Sequence, residues 1–300
     1  MIQQDGIIII DKESGPSSFT VVEGIKNLLK VKKAGHAGTL DPFASGVLVV
    51  LLNQGTKLFP FLMSQDKVYK AALRLGIEMD TQDLTGRIIR EKDVGRLTRE
   101  DVEHATRQFL GTIRQVPPPY SAVHHNGKRA YELARNGLEV RLQERDVRVD
   151  YIRILSVDLP TVCIEVGCGS GTYIRVLAAE LGRSLGPGAH LTFLRRIRSG
   201  PFLVDNALTV TQIAQHLSRG TADEVIISPK DALRGMIEVE ILDTLARKIR
   251  NGYRPRTGEL SWEDIPSSCS GDYLKIVMGE ELVAILKQAS NGYDINRVFT

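Results

Sequence analysis

Apolar residues occur in short, separated runs along the first part of the chain, and their spacing distinguishes strands from helices. Residues 7–10 and 46–52 are continuous apolar runs, which is typical of buried strands. Residues 68–75 alternate between apolar and charged side chains and predict a half-buried strand. After Ser17 and Ser18, either of which can cap a helix, apolar residues recur at helical spacing.

The pattern continues less regularly after residue 98. Thr98 begins a predicted helix, and three consecutive prolines then start a long arm over residues 117–145. This arm contains one predicted short helix. The further predicted strands are 147–154 and 162–166, and the further predicted helices are 129–136 within the arm, 172–185, 208–217 and 242–250.

Strands and helices do not alternate regularly, so a doubly wound sheet is not expected. We predict an α+β body over residues 1–235, in which a mixed, largely antiparallel sheet is flanked by helices. A boundary falls near Gly235, and residues 236–300 contain short strand-like runs separated by turn residues. We predict a small β-rich domain there.

Composition and charge narrow the class of protein. The 300 residues are 42% hydrophobic and 25% charged, which is ordinary globular composition, and no apolar run is long enough for a membrane helix. The three cysteines form no C-x-x-C pair, which argues against a disulfide framework or a zinc ribbon and favours a reducing, cytoplasmic setting. Residues 1–235 carry 31 basic and 26 acidic side chains, against 8 and 10 in residues 236–300. The charge of the tail therefore gives no support for RNA binding.

A glycine-rich turn, EVGCGSG at 165–171, follows a predicted strand and precedes a helix. Such turns bind nucleotides in methyltransferases and dehydrogenases, so an S-adenosylmethionine-dependent methyltransferase is one alternative. That chemistry needs an acidic residue about 20 positions later for the ribose hydroxyls. Four arginines occupy that region instead, at positions 183, 195, 196 and 198, and such a cationic cluster suits phosphate. A tight strand-to-helix turn explains the glycines equally well.

The segment GHAGTLDPFASG at 35–46 carries the candidate chemistry. An Asp before Pro is most often a helix cap. Here glycines let the backbone lie close to a ligand, His36 is available for stacking or hydrogen bonding, and Asp41 precedes a deeply apolar strand. A carboxylate in so dry a setting can act as a nucleophile or a base. The spacing indicates a reactive Asp but no particular reaction.

This segment resembles the signature of the TruB family of pseudouridine synthases. The resemblance covers residues 5–235 in order and spacing, and extends more loosely to a PUA-type RNA-binding module in the tail. Its further motifs are DKESGPSS at 11–18, KVYK at 67–70, DTQDLTG at 80–86, QVPPPYSAV at 115–123, GKRAYELAR at 127–135, CGSGTYIR at 168–175, HLTFLRR at 190–196 and SGPF at 199–202.

The resemblance implies a role for several side chains. Asp41 is implied as the catalytic carboxylate, Arg175 as its ion-pair partner and Tyr69 as the residue that stacks on the target uracil. The other implied positions are Tyr173 and Leu194 as pocket walls, His36 as an RNA contact, and Lys12 as a brace of the active-site loop. Without the resemblance, each of these residues except Asp41 would be interpreted as an ordinary core, loop or surface residue.

The resemblance also implies a substrate. It is the T-loop uridine at position 55 of tRNA, recognised through the T arm, extruded from its stack and isomerised without metal, nucleotide or other cofactor. Cations of the arm, at positions 128, 129, 135 and 141, can meet phosphates. We expect a monomer without a membrane association. A non-catalytic RNA-binding or RNA-folding protein that uses the same surface is the second alternative.

Overall fold

A computed structural model describes most of the chain. The described residues are 5–118, 120–121, 124–125, 128–130, 133, 138, 142–255, 259–260, 273–289 and 292–300. Fourteen of the 29 residues of the arm predicted at 117–145 lie outside the described residues, among them Arg135 and Arg141. The side chains of Lys128 and Arg129 are not described either. The helix predicted at 129–136 is covered only in part. Arg129 ends a short strand, and Ala130 and Leu133 are helical, so the predicted start was one residue early.

Strands and helices are mixed along the body, as an α+β protein requires. The strands are β1 Gly6–Lys12, β2 Ala34–His36, β3 Ser45–Leu52, β4 Lys67–Leu75, β5 Ile77–Met79, β6 Ile88–Glu91, β7 Gly111–Gln115, β8 His124–His125, β9 Lys128–Arg129, β10 Arg145–Asp158, β11 Thr161–Cys168, β12 Ala189–Ser199, β13 Phe202–Leu203, β14 Ile237–Glu240, β15 Tyr273–Met278, β16 Glu281–Ala289 and β17 Gly292–Val298. The α-helices are α1 Ser18–Leu29, α2 Phe59–Met63, α3 Arg99–Thr106, α4 Ile174–Leu185, α5 Val210–Ser218, α6 Pro229–Ala232 and α7 Asp243–Arg250. Short 3-10 turns lie at Asn53–Leu58, Arg107–Phe109, Val204–Asn206 and Ala222–Val225.

The helices begin where the sequence provides caps. Ser17 caps α1 by accepting a hydrogen bond from the Thr20 N–H. Thr98 and Thr209 form reciprocal capping boxes at the starts of α3 and α5. The starts of α1 and α3 confirm the helix starts predicted at Ser17 or Ser18 and at Thr98.

One large sheet organises the body, with strand order β1-β3-β12-β4-β11-β10-β7 and with β2 and β13 paired to its side. Neighbouring strands are antiparallel except where β12 runs parallel to β3, at Arg195 and Arg196. The sheet is therefore mixed and largely antiparallel, which confirms the predicted fold class. β12 therefore lies between β3, which follows the Asp41 loop, and β4, which carries Tyr69.

Both faces of the β1–β3 pair are covered. Alternate residues Ile8 and Ile10 pack under α1 and α5, while Ile7 and Ile9 face the opposite side. A separate apolar cluster joins the central strands β4, β11 and β12 to α4. This double coverage explains why residues 7–10 are apolar without alternation.

The C-terminal residues form a second sheet of order β14-β15-β16-β17, against which α7 packs. One side of this sheet contacts the body. Val277, Leu282 and Phe299 belong to the same buried cluster as Leu58 and Leu62. This contact buries apolar surface of the main sheet region, so the tail contributes to the stability of the body.

We expect Leu282→Ala to destabilise the protein by about 2–5 kcal/mol, because it leaves a cavity in this shared cluster. Leu282 is 4% exposed, whereas Leu242 in the same tail is 79% exposed and serves as the matched control. Thermal unfolding of the two single variants measures the difference. Equal melting temperatures for both variants would contradict a stabilising contact between tail and body.

Candidate active site

The loop that carries Asp41 is held by hydrogen bonds from two neighbouring segments. The Ser18 hydroxyl both accepts from the Leu40 N–H at 2.8 Å and donates to the Leu40 carbonyl at 3.0 Å. The Gly15 N–H donates to the Pro42 carbonyl at 2.8 Å. The backbone is therefore fixed on both sides of Asp41.

Lys12 adds a buried cation to the same loop. Its Nζ donates to the carbonyls of Glu13 and Pro16 at 2.8 Å and of Pro42 at 3.2 Å. Burial lowers the Lys12 pKa to about 8, although the nearby Asp41 carboxylate acts in the opposite direction. Lys12 is thus bonded to backbone carbonyls of both its own segment and the Asp41 loop, and its role in the reaction stays a prediction.

Asp41 and Arg175 form an ion pair between segments 134 residues apart. Arg175 Nη2 donates to Asp41 Oδ1 at 3.1 Å, and Nε lies 2.9 Å from Oδ2, in ion-pair range but poorly aligned for a hydrogen bond. The Arg175 side chain is 3% exposed and that of Asp41 is 30% exposed. The guanidinium is thus part of the interior, while the carboxylate remains accessible at one side.

A second carboxylate, Asp83, shares the same guanidinium. Its Oδ2 lies 3.4 Å from Arg175 Nη1. Its Oδ1 accepts from the Thr81 hydroxyl and from the Thr85 N–H. Asp83 belongs to the DTQDLTG motif, but it was not among the predicted site residues. Its spacing within that motif was the available signal, and only the fold shows that it reaches Arg175.

Backbone carbonyls complete the environment of Arg175. Nη1 donates to the Thr81 carbonyl at 3.2 Å, and Nη2 donates to the Tyr120 carbonyl at 2.9 Å. A planar guanidinium can satisfy several acceptors at fixed angles, which a lysine ammonium cannot do in the same way. Arg175 therefore joins the Asp41 loop, the Thr81–Asp83 turn and the start of the arm.

The environment of Asp41 favours its protonated form more than water does. Burial is the main cause that raises the Asp41 pKa above 3.8, and the nearby Asp83 carboxylate adds to it. Arg175 opposes both effects by stabilising the charge. The Arg175 guanidinium is thus the main group that favours the charged form of Asp41, with a smaller contribution from Lys12.

Apolar side chains border the carboxylate. Tyr69 is buried in one cluster with Leu40, Ala44, Leu194 and other core residues. Burial raises the Tyr69 pKa, so its phenol is neutral at physiological pH. The fold therefore brings Tyr69 and Leu194 together beside the Asp41 loop.

Tyr173 and His36 lie at the margins of this region. Tyr173 immediately precedes α4, and the buried Gln115 amide accepts from its N–H at 3.0 Å and donates to its carbonyl at 3.3 Å. The Arg145 guanidinium stacks 4.9 Å from the centre of the Tyr173 ring. His36 is partly exposed at the end of β2, which pairs with β3. Contact of His36 with RNA stays a prediction.

The glycine-rich turn has a structural explanation. Gly167 packs against the Tyr151 ring, Gly169 bonds to the Arg148 carbonyl, and Gly171 adopts a φ of 86°. A side chain at Gly167 would collide with that ring. The turn needs glycines for packing and conformation, which removes the reason to infer a nucleotide there.

The four arginines that follow the glycine-rich turn in sequence do not form one cluster, because their side chains project to different places. Arg183 pairs with Glu78 at 2.8 Å, Arg195 pairs with Asp11 at 2.7 Å, and Arg196 is buried. Alternation along β12 sends Arg195 and Arg196 to opposite faces. Sequence proximity was therefore a poor guide to spatial clustering.

The described residues contain no group of three or more His, Cys, Asp or Glu side chains arranged to bind a metal ion. Within the same described residues, no helix has the length and apolar character needed to cross a membrane.

Solved structures share this architecture. The chain is similar to one in the crystal structure of a Cbf5–Nop10–Gar1 complex, with 29% identity, a TM-score of 0.76, and coverage of 98% of this chain and 85% of that chain. It is also similar to a chain in the structure of an H/ACA RNP bound to a substrate RNA containing 2′-deoxyuridine, with 27% identity, a TM-score of 0.75 and the same coverages.

Family models identify the chain more closely. Residues 26–174 match the N-terminal domain of the TruB family pseudouridylate synthases, and residues 175–239 match the C-terminal domain of tRNA pseudouridylate synthase B. The chain belongs to the TruB family of pseudouridylate synthases. It is 39% identical to tRNA pseudouridine synthase B of Geotalea uraniireducens over 96% of this chain and 93% of that protein. It is 42% identical to that of Geobacter sulfurreducens, over 84% of this chain and 83% of that protein.

We predict opposite effects of two substitutions on the Asp41 pKa. Arg175→Gln removes the group that lowers this pKa and should raise it, whereas Asp83→Asn removes a negative neighbour and should lower it. Carbon-13 NMR titration of aspartate carboxyls, with the Asp41 signal assigned by its loss in Asp41→Asn, measures both shifts. Shifts in the same direction would contradict the charge arrangement described above.

Proposed function

We propose that the chain isomerises the T-loop uridine at position 55 of tRNA to pseudouridine. The observation that carries this proposal is the Asp41 carboxylate, paired with the buried Arg175 and bordered by Tyr69 and other apolar groups. Relatives at about 40% identity bear the name tRNA pseudouridine synthase B, which supports tRNA as the substrate.

The reaction rearranges bonds within one nucleotide. The N1–C1′ bond breaks, a C5–C1′ bond forms, the C5 proton leaves to solvent and N1 acquires a proton. No electrons leave the nucleotide, so the conversion requires no redox partner and we expect no cofactor. An ionised Asp41 can serve this exchange by attacking C1′, by removing a proton from C2′, or by adding to uracil C6.

The uridine must leave its stack before it can reach a partly buried carboxylate. We assign Tyr69 to stacking on the extruded uracil, and Tyr173 and Leu194 to the walls of its pocket. His36 contacts the RNA where the base has left, and Lys12 holds the loop. These assignments rest on the family resemblance, together with the placement of Tyr69 and Leu194 in one buried cluster beside Asp41.

We further propose that residues 1–235 carry the reaction and bind the T arm, aided by the arm at 117–145, while residues 236–300 form a PUA-like module. Asp41, Arg175 and Tyr69 all come from one chain, so the proposed site needs no second subunit, and we propose a monomer. With tRNA as the substrate, we also propose that the reaction takes place in the cytoplasm.

We expect Asp41→Asn to lower turnover by roughly 1,000-fold or more, because it removes the reactive carboxylate. Binding of tRNA should persist, since affinity comes mostly from phosphate and shape contacts. Tritium release from tRNA labelled at uridine C5, in buffer with a chelator and without S-adenosylmethionine, measures turnover, and filter binding measures affinity.

Asp93→Asn is the matched control, because Asp93 is exposed and lies outside the site. Wild-type release by Asp41→Asn would remove Asp41 from the chemistry and favour a different catalytic residue. Absence of release by the wild-type protein, with tRNA binding intact, would favour the non-catalytic RNA-binding alternative.

The T arm should be a sufficient substrate, because it is a compact hairpin that presents the target loop. We expect tritium release from an isolated T-arm hairpin, and none when the position-55 uridine is replaced by cytidine. Mapping of modified positions in full tRNA provides the independent readout. Modification of other uridines in the cytidine-substituted hairpin would contradict the assignment of the target.

A further inference from the structure

Arg196 is a buried cation for which the reaction scheme above has no role. It lies on β12 and is 1% exposed. Its Nε donates to the Val47 carbonyl at 2.7 Å, and its Nη2 donates to the Gly38 carbonyl at 2.9 Å. These two carbonyls stand on either side of Asp41 in the sequence, so one guanidinium spans the base of the catalytic loop.

The backbone around Arg196 is equally constrained. Gly46, which adopts a φ of 102°, packs directly on the Arg196 backbone, and a side chain there would collide with the Arg196 carbonyl. Gly38 adopts a φ of 106° close to the guanidinium. The glycines at both ends of the loop therefore permit its close approach to Arg196.

Arg196 also faces Tyr69. The two residues are directly paired across the antiparallel strands β12 and β4, so their side chains project from the same face of the sheet. The Arg196 charge partly offsets the rise in the Tyr69 pKa that burial causes. Arg196 thus bonds to the Asp41 loop and lies directly opposite the residue assigned to the uracil.

The positive charge of Arg196 gains no stabilisation from an ion pair with the described residues. Among the described residues, no carboxylate lies within ion-pair distance of it. Burial lowers the pKa of Lys67 to about 8, and the charge of Arg196 is the second-largest cause of this decrease. A buried cation near other cations is costly, and an apolar side chain of similar volume would pack there without that cost. The hydrogen bonds from Arg196 to the Val47 and Gly38 carbonyls offset the cost of burying this charge.

We propose that Arg196 is a positioning residue that sets the distance between the Asp41 loop and the Tyr69 ring. It touches neither substrate nor reacting atoms. It acts by bonding to Gly38 and Val47 on one side and by facing Tyr69 on the other. The kinetic consequences of this inference rest on the proposed function. The effect of Arg196 on the loop can be measured by hydrogen exchange, without an activity assay.

Arg196→Lys is the test variant, because it keeps the charge but cannot span two carbonyls at fixed angles. We expect the single-turnover rate of tritium release to fall by roughly 100-fold, as misplacement of reacting groups by about 1 Å does. The affinity for tRNA should stay within about threefold of wild type, because phosphate contacts are untouched. Hydrogen exchange of amides 37–44 should accelerate, while exchange in β1 stays slow.

Arg195→Lys is the matched control, since Arg195 is the preceding residue, is 31% exposed and pairs with Asp11. We expect it to keep wild-type rate and exchange. The double variant Arg196→Lys with Tyr69→Phe should lose less than the product of the two single losses, because both changes affect one pair of facing side chains.

Wild-type rate and wild-type loop exchange in a folded Arg196→Lys protein would overturn the proposal. So would equal losses in Arg195→Lys, or uniform acceleration of exchange, which would indicate general destabilisation. If the wild-type protein released no tritium, the proposed function would fail instead. Loop exchange in Arg196→Lys would then still decide whether Arg196 holds the loop.

Discussion

One ion pair links the distant segments of the site: the partly buried Asp41 carboxylate contacts the buried Arg175 guanidinium. Removal from water disfavours the ionised form of Asp41, and the Asp83 carboxylate nearby adds to that penalty. Arg175 compensates by contacting both carboxylates and two backbone carbonyls. Because a buried guanidinium is itself costly, it is stable there only when these acceptors are all in place.

This requirement explains why distant segments converge. Arg175 lies at the start of α4, Asp83 in the turn after β5, and Asp41 in the loop before β3. The backbone of Tyr173, the residue that precedes Ile174, forms two hydrogen bonds with the side-chain amide of Gln115. Each segment therefore supplies backbone or side-chain polar groups that fix the guanidinium. Lys12 and Ser18 fix the loop from the opposite side.

Much of this arrangement could be predicted from sequence, for identifiable reasons. The β1 and β3 strands and the α1 cap follow from local patterns. The Asp41 loop stood out by its glycines and its apolar surroundings. The reaction came only from family resemblance, because a reactive carboxylate alone is compatible with many reactions. Asp83 and the placement of Arg196 were missed, since both depend on long-range pairing that periodicity does not encode.

We propose that a planar guanidinium, and not merely a positive charge, holds Asp41 in the orientation that the reaction needs. The most direct test is the pH dependence of single-turnover tritium release by wild type and Arg175→Lys. We expect the variant to be slower by roughly 100-fold at every pH, because an ammonium cannot hold both carboxylates at fixed angles. Wild-type rates for Arg175→Lys across the pH range would show that charge alone is sufficient and would contradict this account.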